Sequence, residues 1–180
     1  MTLSQLSLAL GVAMIVSHGI ALAQPDRIGA WLRQFPRNVP IGVVLMLAGT
    51  AWFEWNLHLE TLADIAPWKN LMQIGFAVVG VGSCIFVRDY LAVRGLCVVM
   101  LMAAGSLCEL TRWHTSPWRN ALTAWAYVWV LLGLWWSMSP WRMRDAIQWV
   151  TGSPALFRLA VVAGLVWGGI VIVLGLTVLR

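Results

Sequence analysis

The sequence predicts an all-α, polytopic membrane protein of about six transmembrane helices, arranged as three parallel hairpins with short interfacial amphipathic helices. Composition is the first reason. Of 180 residues, 61% are apolar and 11% charged, whereas soluble domains hold about 45–50% and about 25%, and the mean hydropathy is +0.80. The second reason is a set of six apolar runs close to the roughly 20 residues that cross a hydrocarbon core. The third is a duplication. About 115 residues apart, an apolar run meets a proline, a basic amphipathic stretch, a second break and another apolar run, with Pro25 against Pro140, Arg27 against Arg142, Gly49 against Gly164 and Trp52 against Trp167.

The first run, Leu3 to Ala23, ends in Ala21-Leu22-Ala23, which resembles a signal-cleavage site. No Lys or Arg precedes it, while Arg27, Arg33 and Arg37 follow it. That charge order predicts a retained helix inserted with its N-terminus outside. Ile28, Trp31, Leu32 and Phe35 then recur at helical spacing between the arginines, as in a short helix lying in the interface. Pro36 and Pro40 break the chain before the second run, Ile41 to Leu59. The third and fourth runs, Leu71 to Val87 and Tyr90 to Leu110, form a tighter hairpin turning at Arg88 and Asp89. After the fifth run, Ala121 to Met138, the elbow repeats: Trp141, Ile147, Trp149 and Val150 oppose Arg142, Arg144 and Asp145. Gly152 and Pro154 end it before the sixth run, Ala155 to Val178. No connection is long enough to fold as a soluble domain. The expectation is one transmembrane domain over 1–180, with repeat-like hairpins at about 3–59 and 120–179 around a central hairpin at 71–110. Both copies start on the same side, so they read as parallel repeats, which weighs against inverted-repeat transporter folds.

Arginine and lysine placement predicts orientation. Arg27, Arg33, Arg37, Arg88, Arg94, Arg142, Arg144 and Arg158 fall near the loops after the odd runs, against Lys69, Arg112, Arg119 and Arg180 on the other side. The positive-inside rule places the odd loops in the cytoplasm and both termini outside, in a bacterial cytoplasmic (inner) membrane. The net charge of +5 is then a topology signal with anionic-lipid contacts rather than a nucleic-acid footprint. Trp31, Arg33, Arg37, Arg88, Arg94, Trp141, Arg142 and Arg144 are the expected interface anchors. Small residues at intervals of four, Ala9, Ala13, Ser17 and Ala21 on the first helix and Ala160, Gly164 and Gly168 on the last, mark candidate packing faces, within the chain or between chains.

Two constellations are candidates for chemistry. Glu54 and His58 stand at i and i+4 on the second helix, and Glu109 and His114 flank the far end of the fourth, so a carboxylate and an imidazole from each hairpin would suit a divalent metal such as zinc. Interfacial polar residues at that depth are the plainer explanation. His18 lies within an apolar stretch, where an ionisable group is a functional candidate by default, here an axial haem or pigment ligand. Helix packing is its plainer role. The deep Trp125, Trp129 and Trp167 would line a pigment or quinone site, or pack helices. Cys84, Cys97 and Cys108 lack metal or redox spacing. No Walker loop, no H-E-x-x-H, no G-x-S-x-G and no run of intramembrane carboxylates is present. No catalytic residue and no cofactor identity follow.

Ala126-Tyr127-Val128, Gly133-Leu134, Pro140-Trp141-Arg142, Pro154, Phe157-Arg158 and Gly164 resemble the YjeT-like family of small two-helix bacterial inner-membrane proteins. Gly19, Pro25, Arg27 and Gly49 match it more loosely. The resemblance implies a hairpin with a basic elbow, apparently duplicated around an extra hairpin, and implies no activity. The expected role is a non-catalytic accessory or scaffolding subunit whose partners are the bilayer and other membrane proteins or further copies of itself. Two alternatives are a cofactor- or quinone-binding electron-transfer or photosynthetic component, and a small-solute or metal-handling protein.

Overall fold

The computed structural model describes residues 2–61 and 65–179, so Arg180 of the charge comparison lies outside the described residues. The six apolar runs are helices: α1 Leu3–Ala23, α3 Val39–Leu59, α4 Lys69–Phe86, α5 Leu91–Arg112, α6 Arg119–Met138 and α8 Pro154–Thr177. The two basic elbows are the shorter helices α2 Pro25–Gln34 and α7 Pro140–Gly152. No strand occurs among the described residues.

Local chemistry explains the boundaries. Thr2 and Gln5 form a reciprocal capping box at the start of α1, with Thr2 Oγ1 accepting from the Gln5 amide and Gln5 Oε1 from the Thr2 amide. The duplication repeats its punctuation. Pro25 and Pro140 each open an elbow helix, where the missing N–H costs nothing. Asn38 caps α3 by accepting from the Ile41 amide and Ser153 caps α8 by accepting from the Leu156 amide, each followed by a proline in the first turn. The α4–α5 turn closes through Tyr90 at φ 55°, a left-handed residue where no glycine signals the bend.

Among the described residues five helices are long and apolar enough to cross a membrane: α1, α4 with the short turn before it (Ala66–Phe86), α5, α6 and α8. Six were expected. α3 has the length, at 21 residues, but Trp52, Glu54, Asn56 and His58 make its second half too polar to join that set.

The helices group into two compact units that do not follow the hairpins. The first comprises 1–33, 104–128 and 144–180, and the second 34–103 and 129–143. In the first, α1 packs antiparallel on α8. A Cβ at Gly11 would lie 2.9 Å from the Gly168 carbonyl oxygen, one at Gly168 would lie 3.2 Å from the Gly11 carbonyl oxygen, and Ser4 Oγ donates to the Gly175 carbonyl at 2.7 Å. The face of α1 in this contact is Ser4, Ser7, Gly11, Met14, His18 and Ala21. Ala9, Ala13 and Ser17 are exposed, so the expected stripe is not the one that packs within the chain. On α8 the expectation divides: Gly164 and Gly168 meet α1, while Ala160 is exposed.

In the second unit α3 meets α5 backbone to backbone. A Cβ on Gly42 would lie 2.6 Å from the Ala92 amide nitrogen, and one on Gly95 would lie 2.7 Å from that of Met46. Thr50 of α3 seats against Gly80 of α4, and the rings of Phe53 and Phe76 meet at a tilt of 52° with centroids 4.4 Å apart. Gly133 of α6 rests on Leu101 of α5.

Candidate functional site

These glycine contacts hold α3, α4, α5 and α6 around a cavity of about 410 Å³ in the second unit. Its walls change character along the helices. Near the α4–α5 turn stand Ser83, Arg94 and Ser137, and deeper in the cavity Phe53, Phe76, Leu101 and Met102. Arg94 Nε is buried and has no hydrogen-bond partner, and among the described residues no carboxylate pairs with the guanidinium. The hydroxyls do not relieve it. Thr50 Oγ1 donates to the Met46 carbonyl at 2.8 Å and Ser83 Oγ to the Val79 carbonyl at 2.7 Å, so each turns its proton toward its own helix. An interface anchor was expected at Arg94, and the side chain lines this cavity instead of standing exposed like Arg33, Arg37, Arg88 and Arg142. Trp31 and Trp141 are exposed as well, and Arg144 pairs with Asp145 at 2.7 Å.

A second cavity, about 440 Å³, lies in the first unit between α1, α2, α7 and α8. His18 is its one ionisable wall residue, amid Ile28, Leu32, Phe157 and Val161. The imidazole Nδ1 is 2.8 Å from the Met14 carbonyl and 3.2 Å from Ser17 Oγ, and the opposite ring edge sits on Gly164. A ring held on both sides is positioned as a packing element. Trp125 and Trp167 meet edge to face at 5.9 Å in this unit, where Trp167 Nε1 is enclosed without a partner.

The four residues considered for a metal are divided between the units, Glu54 and His58 in the second and Glu109 and His114 in the first. Glu54 Oε1 is enclosed without a partner, whereas His58 and Glu109 are exposed. His114 Nδ1 accepts from the Ser116 amide at 3.1 Å. Among the described residues no group of three or more His, Cys, Asp or Glu side chains is gathered as a metal ion requires.

Sequence reasoning missed two cation clamps. Arg119 donates to the carbonyls of Thr111, Arg112 and His114 at 3.3, 2.7 and 2.8 Å, satisfying the free C-terminal end of α5. Lys69 does the same for α3, donating to the carbonyls of His58 and Glu60. A basic residue seven to ten positions beyond the last helical residue was the available signal.

Helices of this length and composition define an all-helical, multi-pass membrane protein. No protein family, characterised protein or solved structure was found to match the chain, so the YjeT-like resemblance stands on the quoted residues alone.

Proposed function

We propose that the chain is a non-catalytic accessory or scaffolding subunit of a larger membrane assembly, resident in a bacterial inner membrane with both termini outside and α3 as a sixth crossing. The observation that carries this reading is the uncovered face of α4, on the side away from its contact with α3. Only 6% of its most apolar window is buried inside the chain, against 39% for α5. Ile74, Val78, Val81 and Ile85 are all about half exposed or more, and a Cβ on Gly75 would touch nothing. Glycine inside a helix costs roughly 0.5–1 kcal/mol relative to alanine, and in lipid it repays that cost where a second helix comes close. Gly75 and Gly82 lie two turns apart on α4, at the spacing of a helix-packing face. His18, fixed by Met14 and Gly164, lends less support to the cofactor-binding alternative.

Site-directed crosslinking tests the reading. With Cys84, Cys97 and Cys108 replaced by alanine, Val78→Cys in native membranes is expected to trap a different polypeptide. Crosslinking only to a second copy, or labelling by lipid-phase reagents alone, would contradict the proposal.

A further inference from the structure

We propose that the cavity of the second unit binds an amphiphile with an anionic head, its oxyanion on Arg94 and its hydrocarbon along Phe53, Phe76, Leu101 and Met102. An arginine inside a membrane helix is expensive unless paired or hydrated, and Arg94 keeps a buried Nε without any protein partner. A phosphate or carboxylate supplies the planar fork with paired, charge-assisted acceptors. Depth favours a lipid over a free anion. Arg94 lies three residues into α5, about 5 Å along the axis from its first residue beside the Arg88–Asp89 turn, where a headgroup would stand. Ser83 of α4 and Ser137, next to the last residue of α6, share that end of the cavity.

The apolar walls continue inward from there. Phe76 and Met102 lie ten and eleven residues from the turn-side ends of α4 and α5, about 15 Å along each axis. Phe76, Val79 and Val87 are 44%, 64% and 38% exposed, so the cavity opens sideways toward lipid between its own walls. A small anion would leave this apolar length unfilled. A zwitterionic headgroup would leave its ammonium unmatched, because the polar wall residues are Thr50, Ser83, Arg94 and Ser137 and include no carboxylate.

Delipidated full-length protein in nonionic detergent, titrated with phosphatidylglycerol, phosphatidylcholine of the same acyl chains, oleate and inorganic phosphate, tests this by native mass spectrometry. The expected result is one tightly held phosphatidylglycerol or oleate per chain, about tenfold tighter than phosphatidylcholine, as one charge-assisted contact predicts. The tighter of the two names the source of the oxyanion. Arg94→Gln should abolish the preference, Arg94→Lys should keep part of it, and Arg33→Gln and Arg142→Gln should leave it intact. Should Arg94→Gln fail to fold, Val79→Trp fills the cavity from an exposed position and should expel the lipid without removing charge. Equal affinity for the two phospholipids, an unchanged preference in folded Arg94→Gln, or displacement of the lipid by inorganic phosphate at similar concentration would overturn the proposal.

Discussion

Glycine does its work in this protein by what it leaves out. At Gly42 and Gly95 the atom a side chain would strike is backbone, which cannot rotate away. Gly95→Val should therefore cost about 1–3 kcal/mol, read as a lower apparent Tm in detergent. Gly105→Ala, where nothing lies within 4 Å, should leave Tm within a degree or two. An unchanged Gly95→Val would mean that α3 and α5 are not in backbone contact. Arg119 acts in the opposite way, by adding donors where α5 runs out of them. Arg119→Ala should cost about 1 kcal/mol and speed hydrogen exchange in the 112–118 connection, with little effect at the far end of α6. None of these roles was legible from residue type alone. A glycine in an apolar helix reads the same whether it touches a backbone, as Gly95 does, or open space, as Gly105 does.

At the scale of elements, the duplication carried most of the fold. Pro25 and Pro140, Asn38 and Ser153, and Pro40 and Pro154 all fall where a helix must start, so the helix limits were legible to within about two residues. The packing face of α1 was not. Spacing by four gathers Ala9, Ala13 and Ser17, but such a row drifts around a helix of 3.6 residues per turn. The face that meets α8 alternates three and four, through Ser4, Ser7, Gly11, Met14, His18 and Ala21, and α8 answers with Phe157, Val161, Gly164, Gly168, Val171 and Gly175. Alternation of three and four averages 3.5, the period of a left-handed helix pair. Its mixed chemistry, with serine, methionine and histidine among the small residues, hid it. The pairing predicts a specific crosslink. A Cβ at Gly175 would sit 3.1 Å from that of Ser7, a few tenths of an ångström closer than the roughly 3.5–4.5 Å of a disulfide, so with a slight separation of the two helices Ser7→Cys with Gly175→Cys should oxidise. Ala9→Cys with Gly175→Cys should stay reduced, and the reverse outcome would move the interface to the exposed stripe.

For the whole molecule, the number of crossings decides orientation. With α3 across the bilayer both termini share one side, and without it they lie on opposite sides. At 21 residues α3 is about 31 Å long, enough for a core of about 30 Å. The clamp of Lys69 on its last carbonyls gives its polar half a defined end. Lys69 and Arg119 also sharpen the charge asymmetry. Both stand on the side predicted to be outside, and both are engaged in capping helices. Reporters fused to each terminus should therefore give the same periplasmic signal, and opposite signals would remove α3 as a crossing. The partner face proposed on α4 could not be read from the sequence, because an apolar helix facing lipid and one facing another protein have the same composition. The measurement that bears most directly on the proposed role is native mass spectrometry of the particle released gently from its own membrane. A subunit predicts this chain in a defined stoichiometry with other polypeptides, lost when Val78 and Gly82 are replaced by tryptophan. Recovery of the single chain, with lipid but no other protein, would contradict the account.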